Sequence, residues 1–305
     1  MVGLGDNTPE SPPLTGVSPH LRPWLLTLCA LGCGEDALIG TDLGSLAAMG
    51  GGGGSKSCHI SECDGHIYQC GDCLDNDGDG VADSADPECL GPCDNTEDSF
   101  YGGIPGQNNS QCRQDCYFDQ DTGAGNDECF WSHACDLLSV DPLFTPSGDA
   151  KCAYDPALAV PGTSLSCLEL QSTQSDLCRS YCGPLTPNGC DCFGCCELPA
   201  GSGQFVWLGS TEDNVGSCDA NHLDDPLRCH PCTPVQACLN ECKDCEICVG
   251  RPERAPTCTG GAGGTGGQSG VEQCAVGSQT CGIRGQEPCP EGEYCVTGCC
   301  VQVPH

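Results

Sequence analysis

The sequence is short of base, of aromatic rings and of long apolar runs, and each shortage removes a class of protein. Lys and Arg together number 10 against 43 Asp and Glu, for a formal net charge of −33. A polyanion of this kind repels phosphate backbones and anionic headgroups, so nucleic acid is excluded as a partner, and charge alone does not hold the chain on a membrane. It attracts cations instead. There are only 3 Trp, 6 Tyr and 6 Phe, and the hydrophobic share of 38% includes 34 Cys. That leaves too little apolar side chain for the large core that a barrel or a doubly wound sheet needs. The longest apolar run, Trp24 to Gly32, is too short to span a bilayer as a helix. A Gly-rich phosphate loop, a nucleophile elbow and a His-Glu-x-x-His helix are all missing. The seven His are scattered. His59, His66, His133, His222 and His230 lie near a Cys or an Asp, but none is spaced against an evident general base.

What the chain has in excess is cysteine, with 44 Gly and 23 Pro beside it. This composition marks a disulfide scaffold folded in an oxidising compartment. The expected fold is a set of small disulfide-rich modules, loop-rich, with short Cys-stapled helices, little sheet and no large hydrophobic core. Export requires a signal, and residues 1–32 read as a polar N-terminal extension followed by a signal peptide. Arg22 precedes the apolar run, and the polar preface points to a true start at Val17 or Leu21. Ala30-Leu31-Gly32-Cys33 resembles the lipobox of bacterial lipoproteins, which implies a lipidated Cys33 and a membrane reached through that anchor only. A plain secretory signal cut near Gly32 is the alternative. Setting aside Cys29 and Cys33 leaves an even number of cysteines, as full pairing requires.

Gly-rich stretches divide the rest. Residues 33–57 form a tether ending in Gly50 to Gly54, and residues 259–270 form a second Gly-rich linker. Between and after them lie three candidate units: 58–150, 151–258 and 271–305. Ser166-Cys167-Leu168-Glu169 reads as a capping box opening a helix that ends near Cys182. Thr233-Pro234-Val235-Gln236 opens a second helix, on which Val235, Cys238, Leu239, Cys242 and Cys245 follow helical spacing. Short helices are also expected over Cys112–Phe118 and Cys129–Leu137. Gln204 to Leu208 reads as one arm of a hairpin.

The sharpest motif is Asp75-Asn76-Asp77-Gly78-Asp79-Gly80-Val81-Ala82-Asp83-Ser84-Ala85-Asp86. Counted from Asp75, acids fall at positions 1, 3, 5, 9 and 12, and Gly80 falls at 6. Alternate carboxylates can wrap a hard cation, the Gly permits the sharp turn, and the Val81 carbonyl at position 7 closes the ring. Calcium is the expected ion, held by Asp75, Asp77, Asp79, Val81, Asp83 and Asp86. The competing account is a solvated acidic turn. With Asp rather than Glu at position 12 and cysteines on both flanks, the loop resembles those of dockerins and thrombospondin type 3 repeats. A weaker second set, Asp119, Asp121, Asp127 and Glu128, lies between the two short helices expected at 112–118 and 129–137, where an Asx- and Gly-rich turn competes with calcium.

Cys70-x-x-Cys73, Cys192-x-x-Cys195, Cys229-His230-Pro231-Cys232 and Cys242-x-x-Cys245-x-x-Cys248 have metal-ligand spacing. Behind an export signal, structural disulfides account for them better than zinc or redox catalysis. The last six cysteines, Cys274, Cys281, Cys289, Cys295, Cys299 and Cys300, resemble a knottin or half-granulin, and fifteen pairings are open to them. The whole arrangement of signal, tether, acidic loop and many-Cys body resembles the cysteine-rich surface lipoproteins of myxobacteria. That resemblance implies exposure at an outer membrane or cell surface and no particular activity. The expectation is a calcium-stabilised binding or structural module whose partner is an envelope protein or a polysaccharide. The alternatives are a secreted hydrolase or redox enzyme with an unrecognised site, or a protease inhibitor carried by the C-terminal six-Cys unit.

Overall fold

The computed structural model describes residues 60–63, 65–103, 112–119, 127–139, 153–212, 215–251, 274, 277–281, 289–290 and 292–302. Cys33, the tether, Asp121, Cys58, Cys152 and Cys258 lie outside them. All described residues belong to the unit Ser55–His305.

The capping box forms as read. Ser166 Oγ accepts from the Glu169 amide, and Glu169 Oε2 accepts the Ser166 amide at 2.8 Å. It opens α1, Cys167–Ser172. The helix does not run on to Cys182. It stops at Thr173, which is extended, and Ser175 caps a second helix, α2, Asp176–Tyr181, by accepting from the Cys178 amide at 2.9 Å. Between them Gln174 is buried. Its amide nitrogen donates to the Leu170 and Phe130 carbonyls, and its oxygen accepts from the Phe130 amide. Gln174 and Ser175 thus each satisfy a backbone group that a helix end leaves open, the Leu170 carbonyl and the Cys178 amide.

The helix expected from Thr233 is absent. Asp136 accepts both the Thr233 amide (2.6 Å) and its hydroxyl (2.9 Å), and Asp191 accepts the Val235 amide at 2.7 Å. Thr233 is thereby bound from outside instead of capping, and only one 3-10 turn, Gln236–Cys238, follows. The helices expected at 112–118 and 129–137 are replaced by a ladder of β1, Arg113–Gln114, with β2, Trp131–Ser132. The His133 amide goes to the Cys112 carbonyl and the Tyr117 amide to Cys192, so these segments bond across the fold, and within 129–137 a 3-10 turn forms at His133–Cys135. The hairpin arm is present: β3, Cys195–Glu197, pairs antiparallel with β4, Phe205–Trp207. Two more two-stranded ladders complete the sheet content among the described residues. They are β5, Thr211–Glu212, with β6, Val215–Gly216, and β7, Glu293–Val296, with β8, Cys299–Gln302.

Every described cysteine is disulfide-bonded. Thirteen pairs join described residues, and Cys73, Cys112 and Cys245 are bonded as well. Three bridges, Cys116–Cys182, Cys129–Cys178 and Cys135–Cys167, cross the boundary drawn at residue 150. Cys178 and Cys182 lie one turn apart on α2 and reach two separate points beyond it. The main buried cluster accordingly draws on both sides, with Phe100, Tyr117 and Trp131 packed with Leu170, Phe193, Val206 and Val249, and half-cystines fill much of the remainder. The segments 58–150 and 151–258 therefore share one core. The last six cysteines pair among themselves: Cys274–Cys299, Cys281–Cys295 and Cys289–Cys300. The fold is disulfide-rich and loop-rich, which places the chain among exported or extracellular proteins. No helix among the described residues is long and apolar enough to cross a membrane.

Candidate metal centre

The Asp75–Asp86 loop is built by its own carboxylates. Asp75 accepts the Gly78 amide on one oxygen (2.7 Å) and the Gly80 amide on the other (3.1 Å). Asp77 accepts from Asp79 at 3.0 Å, and Asp79 from Val81 at 2.8 Å. Gly78 and Gly80 hold φ of 83° and 101°, a region that other residues rarely enter, so the loop cannot curl this way without them. The result brings carboxylate oxygens of Asp75, Asp77 and Asp79 within 4.8 Å of one another on the exposed side.

The remaining predicted ligands sit deeper. Asp83 opens the 3-10 turn Asp83–Ala85 and accepts the Cys73 amide at 3.1 Å; burial raises its carboxyl above the usual range. Asp86 is 3% exposed. One oxygen accepts the Glu88 amide at 2.8 Å, and the other, Oδ2, is buried with no hydrogen-bond partner. Burial first, then the side-chain contact with the Glu88 carboxyl and the charges of Glu88 and Asp79, push its carboxyl up to about 7. The structure thus gathers Asp75, Asp77 and Asp79 into one cluster, with Asp86 close enough to feel Asp79.

Glu97 is the residue that sequence reasoning missed. It is 1% exposed and accepts the Asn76 amide at 2.6 Å and the Asp83 amide at 2.8 Å, tying the two ends of the loop together. Glu88 accepts the Ala220 amide at 2.9 Å and fastens the loop's exit to the body. Asp94, buried beneath, accepts from Leu90 and Thr96 and is raised well above its ordinary value by burial. Among the described residues none of Asp86, Glu88, Asp94 and Glu97 is in an ion pair.

Of the second predicted set, Asp119 and Asp127 are brought together. Their carboxylate oxygens and Cys116 Sγ lie within 4.8 Å of one another, all buried. Glu128 is exposed and does not join them. The expected helix–loop–helix setting is replaced by the connection between β1 and β2.

Among the described residues sulfur offers no metal ligand. The other groupings of three, around Cys129, Cys281 and Cys70, consist of cystine sulfurs with at most one acid, and zinc needs thiolate. The Cys-x-x-Cys pairs do not close on themselves. Cys192 joins Cys238, Cys195 joins Cys232, and Cys229 joins Cys218. Cys229-His230-Pro231-Cys232 therefore lacks the neighbouring pair that thiol exchange uses.

Two of the described histidines, His133 and His222, are held by neighbouring side chains. His133 is buried edge-on to Trp207. The Gln114 amide oxygen accepts from His133 Nε2 (2.5 Å) and Trp207 Nε1 (3.2 Å), which leaves His133 Nδ1 to accept from Ser139 Oγ at 3.2 Å. Burial, and next the nearby His230, hold its pKa down at about 3. The cavity beside it measures about 10 Å³, room for a single water. His222 Nδ1 meets Asp219 at 2.7 Å, and Arg228 Nη1 occupies the other ring nitrogen at 2.9 Å. Neither ring presents an open nitrogen to a cleft. A groove of about 520 Å³, lined in part by Asn188, Lys243, Glu246 and Thr297, contains no histidine.

Comparison of the chain with protein-family models, with curated proteins and with solved structures returns no match.

Proposed function

We propose that the chain is an exported surface protein, anchored through Cys33, in which a calcium ion in the Asp75–Asp86 loop completes a disulfide-built binding or structural module. The observation that carries this is the cluster of Asp75, Asp77 and Asp79 carboxylates, together with the buried Asp86 Oδ2, which accepts no hydrogen bond and lies near enough to feel the Asp79 charge. A buried carboxylate oxygen without a hydrogen bond costs folding free energy, and clustered carboxylates repel. One hard cation relieves both. Asp75, Asp77, Asp79 and Asp86 supply carboxylate oxygens, and Val81 supplies its carbonyl. Asp83 has Oδ1 committed to Cys73 and stands at position 9, which calcium loops often reach through a water. The ion's role is structural, and in an extracellular setting an affinity on the order of 10⁻⁴–10⁻³ M suffices.

The anchor and the partner are tested together. Fatty-acid labelling of the expressed chain is expected to tag it, and Cys33→Ser to abolish the tag and release the protein. Retention on isolated envelope polysaccharide or envelope proteins by the released form is expected to require calcium. An untagged wild type rejects the anchor, and retention indifferent to chelator rejects calcium's part in binding.

A further inference from the structure

We propose that Asp119 and Asp127 hold a second divalent cation, of the calcium class, inside the protein and apart from the exposed loop. Asp127 is fully buried. Its Oδ1 accepts the Cys129 amide at 3.0 Å, and its Oδ2 is buried with no hydrogen-bond partner. Asp119 is 4% exposed, and its carboxylate lies within 4.8 Å of that of Asp127. Two oxygens that share one calcium ion, each about 2.3–2.6 Å from it, stand no more than about 5 Å apart, so the observed separation fits a common ion. The third atom of the group, Cys116 Sγ, is bonded to Cys182 and has no thiolate to give. That leaves an oxygen-only donor set, which suits calcium rather than zinc.

The surroundings give the ion a purpose. Cys116 lies three residues before Asp119, and Cys129 two residues after Asp127. From these two cysteines run the bridges to Cys182 and Cys178 of α2. Tyr117, Phe118 and Cys129 belong to the main buried cluster. A cation between the two acids closes the β1–β2 connection at the point where both bridges leave for α2, in a place water does not reach. The ligands differ from the set that sequence spacing suggested, because Glu128 turns outward to solvent.

The test is a count of bound calcium on the full exported chain by native mass spectrometry, after desalting and calcium addition. The wild type is expected to carry two ions, Asp79→Asn one, Asp127→Asn one, and the double variant none. The ion lost with Asp127→Asn is expected to exchange with added chelator at least tenfold more slowly than the one lost with Asp79→Asn. A wild type with a single ion that Asp79→Asn removes overturns the proposal. So does an Asp127→Asn protein with the wild-type count. If Asp127→Asn does not fold, Asp79→Asn decides, since one retained ion supports the proposal and none overturns it. A count that falls with Asp127→Asn but not with Asp79→Asn rejects the exposed loop and leaves this site standing.

Discussion

Residues 167–251 and residues 72–97 solve the same problem with different chemistry. Both are loop-rich: the first holds two six-residue helices and two short ladders, the second a 3-10 turn at Asp83–Ala85. In the first region sulfur fixes the chain. α2 alone is bonded at Cys178 and Cys182 to two distant segments, and Cys192, Cys195 and Cys218 each reach a partner across the core. In the second region bridges stand at the margins, such as Cys70–Cys89, and the loop itself is shaped by carboxylates that catch backbone amides. Covalent staples hold at any ionic composition. Clustered carboxylates repel one another unless that repulsion is offset, so on the calcium reading proposed above one molecule would combine a permanent part with a part that depends on cations.

The largest effect that sharpens this contrast is expected from removing a long-range bridge. Replacing Cys129 and Cys178 by Ala opens a link of sequence separation 49 and is expected to cost about 4 kcal/mol by loop-closure entropy. The same change at Cys242 and Cys248, separation 6, is expected to cost about 2 kcal/mol. Denaturant unfolding of both variants measures the difference. Equal losses would show that the bridges do not act by restricting the unfolded chain.

A smaller effect comes from acid and belongs to the sulfur-held core. The folded state holds His133 at about 3, below its ordinary value of 6.5, so the folded protein binds fewer protons there than the unfolded chain. The stability this ring contributes is present above pH 6.5 and is lost as pH falls through 6.5 toward 3. Asp191, pushed up to about 7 by burial, works in the opposite direction, so the ring itself has to be observed. Nitrogen-edge NMR is expected to show His133 neutral down to about pH 4, and titration near 6.5 would contradict the packing described. The smallest effect is expected from Ser166→Ala. It removes the α1 cap at a cost of about 1 kcal/mol, read as a shift in thermal midpoint. The Cys135–Cys167 bridge holds the start of that helix in either case.

Local signals were legible in the sequence, and long-range ones were not. The capping box at Ser166 and Glu169 and the β4 arm depend on neighbours a few residues away and appear as read; of the five Asp read as one ligand set, Asp75, Asp77 and Asp79 come together. The helix at Thr233 failed because Asp136 and Asp191, 97 and 44 residues away, take the amides of Thr233 and Val235. Glu97 stayed hidden for the same reason, since it stands 21 residues from Asn76 and belongs to no spacing motif. The unit boundary at 150 followed cysteine parity, with 10 Cys in residues 58–135 and 16 in residues 152–258. An even count says nothing about which side of a boundary a partner lies on, and three bridges between described residues cross it.

The contrast stands or falls on the loop's need for a cation. Since residues 58–150 share their core with α1 and α2, the whole exported chain is the sample, and its thermal midpoint is measured with calcium and with chelator. At calcium a hundredfold above the loop's Kd the loop ion is predicted to add about 2.7 kcal/mol of stability. Asp79→Ala should lose that share of the dependence, while Asp119→Ala should keep it and lose only the share of the inner ion. A wild-type midpoint unchanged between calcium and chelator would contradict the account, and Asp75–Asp86 would then be an acidic turn that needs no ion.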